Sequence, residues 1–164
     1  MVSLEGIRNW AWKISLVSII LNVVALIVPN LIFIDIEKGS YIFWLYNFYI
    51  SKSGFRFLEF LGEGGTFKFF WVLGYLVAVS TIISTVLMII STIWNKKGTS
   101  DKYIMGWLIS GTLSTIMGIL GWAVRGFILH LEIRVPFIPL ASLLTLTSGI
   151  FTLIIGIVSM MEKR

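Results

Sequence analysis

Residues 103–129 read YIMGWLISGTLSTIMGILGWAVRGFIL, and this stretch decides the fold. It holds a single charge, Arg125, and exceeds the roughly 20 apolar residues a helix needs to cross the hydrocarbon of a bilayer. Gly111, Ser114, Gly118, Gly121 and Arg125 recur in it at alternating steps of three and four, which keeps them on one helix face. In lipid, aliphatic side chains gain little by packing on each other instead of on acyl chains. Helices associate where small residues let their backbones come close. The stretch therefore reads as a membrane helix with a small-residue face turned towards other helices.

The same pattern appears in three more apolar segments, at about Trp12–Val28, Phe69–Trp94 and Pro136–Met160. The first carries Ser15, Ser18, Asn22, Ala25 and then Pro29; the second carries Gly74, Ala78, Thr81 and Thr85; the last carries Ser142, Thr145, Gly149, Thr152, Gly156 and Ser159. Four such rows predict an all-α membrane fold, a left-handed four-helix transmembrane bundle forming one integral membrane domain over residues 1–164. The rows turn inward, with Asn22, Gly118, Gly121, Gly149 and Gly156 as packing positions, and Ile, Leu, Val and Phe turn to lipid. Asn22 is expected to hydrogen-bond across helices. The second and third segments are longer than a minimal span and are expected to tilt or project.

Composition agrees. Hydrophobic residues are 57% and charged residues 13%, and mean hydropathy is +0.95, whereas soluble domains carry about 25% charged residues. Too few charges remain to cover a water-facing surface, which excludes an ordinary soluble enzyme, a disordered chain and a nucleic-acid-binding domain. The net charge of +5 reads as basic residues at span ends, and with no Cys there is neither a disulfide framework nor a thiolate site.

The basic start of the chain resembles a signal peptide, but Val28-Pro29-Asn30 is a poor small-residue cleavage site, so the first span is expected to be retained. Arg8, Lys13, Lys96, Lys97, Lys102, Lys163 and Arg164 lie in short segments at one side. Because Lys and Arg accumulate in short cytoplasmic segments, both termini are expected to be cytoplasmic in a multi-pass protein of the cell membrane. Trp10, Trp12, Trp94 and Trp107 then fall at the headgroup level on that side.

Residues 29–68 form the long outer connection. Leu31–Ile36 and Tyr41–Ile50 are rich in β-branched and aromatic residues and flank Glu37-Lys38-Gly39-Ser40, which predicts a β-hairpin. Phe55–Phe60 is a candidate third strand, with an amphipathic helix around Phe55–Leu61 as the alternative, and Gly62-Glu63-Gly64-Gly65 is a hinge. An apolar sheet outside the membrane needs cover, so Trp44, Tyr46, Phe48 and Tyr49 are candidates for an interaction surface. The plainer reading is that they pack the sheet onto the bundle.

This arrangement resembles the claudin-like tetraspan superfamily across the whole chain. The resemblance rests on four spans, the first outer loop with the aromatic cluster Phe43-Trp44-Leu45-Tyr46-Asn47-Phe48, the short basic inner loop, the Gly-rich third helix (Gly118, Gly121) and the brief second outer loop before Pro136. The family signature is Trp … Gly-Leu-Trp-x-x-Cys … Cys; its Gly and both Cys are absent here, so the family's loop disulfide cannot form. The resemblance implies a role in adhesion, membrane organisation or binding to larger membrane complexes.

Arg125 ends the third row and would be expensive to bury unpaired. A clamp to Asp35, Glu132 or another outer carboxylate is expected, with a headgroup or ligand contact as the alternative. His130, the only histidine, is expected to be structural, since metal sites draw on clusters of ligands. No buried acid pair, Ser–His–Asp set or phosphate-cradling Gly loop is present, so a non-enzymatic protein without cofactor is expected. Its partners would be the lipid bilayer and other membrane proteins or copies of itself. The alternatives are an accessory subunit of a respiratory or other multi-subunit membrane enzyme, and an oligomeric channel or transporter component.

Overall fold

The computed structural model describes residues 4–29, 31–35, 39–43, 48–51, 54–57, 65–98, 102–132 and 139–162, with side chains for 10–29, 73–98, 102–122 and 139–161. Four helices carry the fold: α1 (Leu4–Ile27), α2 (Gly65–Lys97), α3 (Lys102–Glu132) and α4 (Leu140–Glu162). Each is long and apolar enough to cross a membrane, over Trp10–Ile27, Leu73–Lys97, Lys102–Trp122 and Leu140–Met161. α3 packs most extensively on α4; α2 packs on α3, and α1 packs on α4 and α2, so the helices form a ring in which α1 faces α3 across the centre.

Local chemistry sets the helix ends. The Val28 N–H still bonds the Val24 carbonyl at 2.8 Å, but Pro29 has no N–H and α1 stops. Lys96 and Lys97 sit in the last turn of α2, where cations meet the negative end of the helix dipole. Gly98 follows at φ 62, the left-handed conformation that closes many helices. α4 is described from Leu140, and the Pro136 start expected from hydropathy lies outside the described residues. The Pro139 carbonyl accepts the first helical bond from Leu143 at 3.0 Å.

In the connection between α1 and α2, four short segments pair antiparallel in chain order: β1 (Leu31–Asp35), β2 (Gly39–Phe43), β3 (Phe48–Ser51) and β4 (Gly54–Phe57). Leu31 pairs with Phe43, Ile42 with Ile50 and Phe48 with Phe57. Of the aromatic run Tyr41–Ile50, residues 41–43 lie on β2 and 48–50 on β3, and residues 44–47 lie outside the described residues. Residues 58–60, part of the candidate third strand, lie outside the described residues.

The bundle is polar inside and aliphatic outside. Its buried side chains are mostly Ser and Thr, joined by Asn22, Met88, Trp107 and a few aliphatics. Ile20, Ile82, Ile109 and Ile154 stand about half exposed on the four outer faces. An Ile surface over a Ser/Thr interior inverts the soluble pattern and suits a hydrocarbon solvent.

Gly98 isolates the backbone term in this fold, because a Cβ there would meet nothing within 4 Å. Gly98→Ala is therefore expected to cost about 1 kcal/mol through left-handed strain alone. Thermal unfolding in detergent measures it, and an unchanged transition would mean the α2 end does not need that conformation.

Candidate functional site: the polar interior of the bundle

Most interior hydroxyls donate to a carbonyl of their own helix: Thr81 to Val77, Thr85 to Thr81, Ser91 to Leu87, Thr145 to Ala141 and Thr152 to Ser148. These bonds hold each proton without reaching another helix, the usual resolution for Ser and Thr in an apolar medium. A smaller set crosses between helices, and proton bookkeeping gives it a direction.

Trp107 Nε1 donates to Ser15 Oγ at 2.9 Å, and Ser15 Oγ lies 2.6 Å from Thr92 Oγ1. The Thr92 proton is already on the Met88 carbonyl at 2.7 Å, so Ser15 donates to Thr92. The relay runs from α3 through α1 to the α2 backbone. A second relay starts at Asn22. Its Nδ2 donates to Ser114 Oγ at 3.0 Å and to Ser84 Oγ at 3.3 Å. Ser84 donates to the Thr81 carbonyl at 3.0 Å, so the 2.7 Å contact between the two serines is donated by Ser114. This relay also links α1, α3 and α2 and ends on an α2 carbonyl. α4 joins through Ser148 Oγ, which donates to the Ser18 carbonyl of α1 at 2.8 Å.

Met88 lies at the junction of these groups, fully buried. Its Sδ is 3.8 Å from Asn22 Nδ2, 3.8 Å from Ser148 Oγ and 3.6 Å from Thr152 Oγ1. A thioether is a weak acceptor on a flexible stem, so it fills the meeting point without demanding a proton. Asn22 Oδ1 is buried and has no partner among the described residues. Turning the amide over would not help, because both Nδ2 protons would then lose the serine oxygens they now bond.

The α3–α4 seam is built differently. A Cβ on Gly118 would fall 2.6 Å from the Leu146 backbone nitrogen, and one on Gly149 would fall 2.5 Å from that of Thr115 and 2.9 Å from the Gly111 carbonyl. A Cβ on Gly111 would in turn meet the Leu153 nitrogen at 2.7 Å, one on Gly121 the Ser142 hydroxyl at 2.7 Å, and one on Gly156 the Leu108 side chain at 3.0 Å. Here backbone lies on backbone, and glycine is required because the space does not exist.

The remaining sequence candidates are scattered. Arg125 and Glu132 lie in the last turns of α3 and Asp35 at the end of β1; their side chains are outside the described set. Phe48 and Tyr49 lie on β3, paired with Phe57 and Arg56, with side chains likewise outside it. Trp44 and Tyr46 lie outside the described residues. Among the described residues no group of three or more His, Asp or Glu is placed to hold a metal.

Sequence reasoning missed Ser84, Met88, Ser91, Trp107 and Ser148. The signal for α2 was present, since Val77, Thr81, Ser84, Met88 and Ser91 step by four, three, four and three, but Met88 is not small. Trp107 is fully buried within the bundle. Ser15 supplies the acceptor that makes its N–H affordable inside, and the Tyr103 ring packs edge-on at 5.1 Å.

No protein-family model matches the chain, and neither a curated protein nor a solved structure is significantly similar to it.

Two substitutions separate the two seams. Gly118→Ala drives a methyl into the Leu146 backbone and is expected to cost about 1–3 kcal/mol. Asn22→Leu removes two bonds and the unpartnered oxygen together, leaves the Ser84–Ser114 contact intact, and is expected to change stability by less than about 1 kcal/mol. Unfolding by SDS titration in mixed micelles compares them. The reverse ranking would show that the polar relay, not the glycine seam, dominates stability.

Proposed function

We propose that the chain is a non-enzymatic, claudin-like four-span protein of the cell membrane, with both termini cytoplasmic. Its paired outer segments and lipid-facing helix faces bind other membrane proteins or further copies of the same chain. The observation that supports this reading is the contrast between interior and exterior. Among the described residues, most interior hydroxyl protons are held by carbonyls or neighbouring hydroxyls, and glycine backbones meet directly. Close packing of this kind among the described residues argues against a water-filled path through one copy. The exterior offers aliphatic surface along all four helices and an aromatic connection at one end, which is the material of contacts.

Within this reading the sheet β1–β4 rests on the outer helix ends, Trp44, Tyr46, Phe48 and Tyr49 supply its contact surface, and Arg125 clamps the connection to α3 through Asp35 or Glu132. Arg125→Leu is then expected to speed proteolysis between Asp35 and Gly65, with helix content by circular dichroism unchanged. An unaltered cleavage rate removes the clamp.

The decisive comparison is between the full chain and a variant in which residues 31–57 are replaced by a short Gly/Ser linker. Both are purified in a mild detergent after cross-linking in the membrane. Self-assembled or partner-bound species are expected with the full chain and not with the variant, at equal helicity. Co-purified redox or catalytic subunits would replace the proposal with an accessory-subunit role. Ion flux from the purified chain in liposomes would replace it with an oligomeric channel. Equal cross-linking of both proteins would remove the connection as the contact surface.

A further inference from the structure

One end of the bundle gathers cations around indoles in a way helix capping does not explain. Lys13 Nζ lies 3.9 Å from the centroid of the Trp10 ring and 5.7 Å from that of Trp12. Lys96 Nζ, from the neighbouring helix, lies 5.3 Å from the centroid of the same Trp12 ring. Two ammonium groups from two helices thus converge on one indole. The negative faces of the rings offset part of their mutual repulsion. The C-terminal dipole of α2 offsets some for Lys96 but none for Lys13, which lies well inside α1.

The surface next to these cations is aliphatic. Leu16, Val17 and Ile20 follow Lys13 on α1, and Ile89, Ile90 and Ile93 precede Lys96 on α2; all are exposed. Both sets fall within the membrane-crossing lengths of their helices. A ligand that satisfies the whole site carries an anion at the height of the lysines and hydrocarbon below it.

We propose that Lys13, Lys96 and Trp12 form a headgroup site for one anionic phospholipid. Its phosphate sits between the two ammonium groups, the Trp10 and Trp12 rings flank the glycerol region, and an acyl chain lies along the α1–α2 surface. The rings hold the lysine heads over the site before the lipid arrives, which lowers the ordering cost of binding. The shared chemistry is a phosphate monoanion, and the adjoining aliphatic surface assigns it to a lipid and not to a soluble phosphate. This inference is independent of what the outer connection binds.

The test is native mass spectrometry of the full chain released from micelles containing equal phosphatidylglycerol and phosphatidylcholine. The unmodified chain is expected to retain one phosphatidylglycerol in preference to phosphatidylcholine. The double substitution Lys13→Gln with Lys96→Gln is expected to lower that preference by roughly tenfold or more. Lys97→Gln removes a charge from the same end without touching Trp12 and is expected to leave the preference nearly unchanged. If the double variant loses its helical circular dichroism, Lys96→Gln alone, at an exposed last-turn position, is read instead. An equal loss in Lys97→Gln overturns the proposal in favour of diffuse surface charge. Unchanged retention in the Lys96 variants also overturns it. Displacement of the lipid by millimolar glycerol phosphate would make the site one for small anions.

Discussion

A hydroxyl, amide or indole N–H placed in hydrocarbon has no water to turn to, so every proton in the interior must find an acceptor within the protein. That constraint organises this bundle. Intrahelical carbonyls absorb most hydroxyl protons and leave few to act between helices. The protons that do cross follow one-way relays, because each hydroxyl has a single proton and the last one in each relay is already committed to a carbonyl. Both relays end on α2, at the Met88 and Thr81 carbonyls. α2 is thus the acceptor end of both relays, which start on α1 and α3, diagonal in the ring, while the α1 Ser18 carbonyl accepts from Ser148 of α4.

The two seams divide the work of holding the helices. Between α3 and α4 the glycines bring backbone to backbone, where dispersion over many close atom pairs replaces the hydrophobic gain that lipid does not provide. Gly111 and Gly149 approach each other's helices reciprocally, so neither side can grow without moving both. α1 packs less extensively on α2 than α3 does on α4, and it is placed by named hydrogen bonds at Ser15, Asn22 and the Ser18 carbonyl. The first seam supplies closeness; the second supplies register.

The sequence makes the inward faces readable because lipid imposes one rule on all four helices: small and polar inward, aliphatic outward. Ser15, Ser18, Ala25, Thr81, Ser114, Thr145 and Thr152 are buried, as are the glycines of α3 and α4 on the same rows. What periodicity could not read is pairing. Met88 and Trp107 are large, and nothing in their own spacing says that one fills a polar junction and the other finds a serine acceptor 92 positions away.

Asn22 shows what such an interior gives up for register. Its two interhelical bonds contribute on the order of 0.6 kcal/mol each if they follow membrane averages, while an unpartnered buried carbonyl costs about 1–3 kcal/mol. The balance is neutral or unfavourable, so stability is not a sufficient account of an amide at this position. Register is. Sliding α1 by one turn would carry Nδ2 about 5.4 Å along the axis, away from Ser84 and Ser114, and would orphan two donors in addition to the oxygen. The penalty for a slipped arrangement is therefore larger than the gain for the correct one. A small-residue seam such as that of α3 and α4 is nearly repetitive at seven-residue intervals, Gly111 with Gly118 and Gly149 with Gly156, and cannot by itself distinguish one register from the next. For α1 that distinction comes from the Asn22 amide, tied to Ser114 of α3 and Ser84 of α2, and α4 is tied to the same helix through Ser148 and the Ser18 carbonyl.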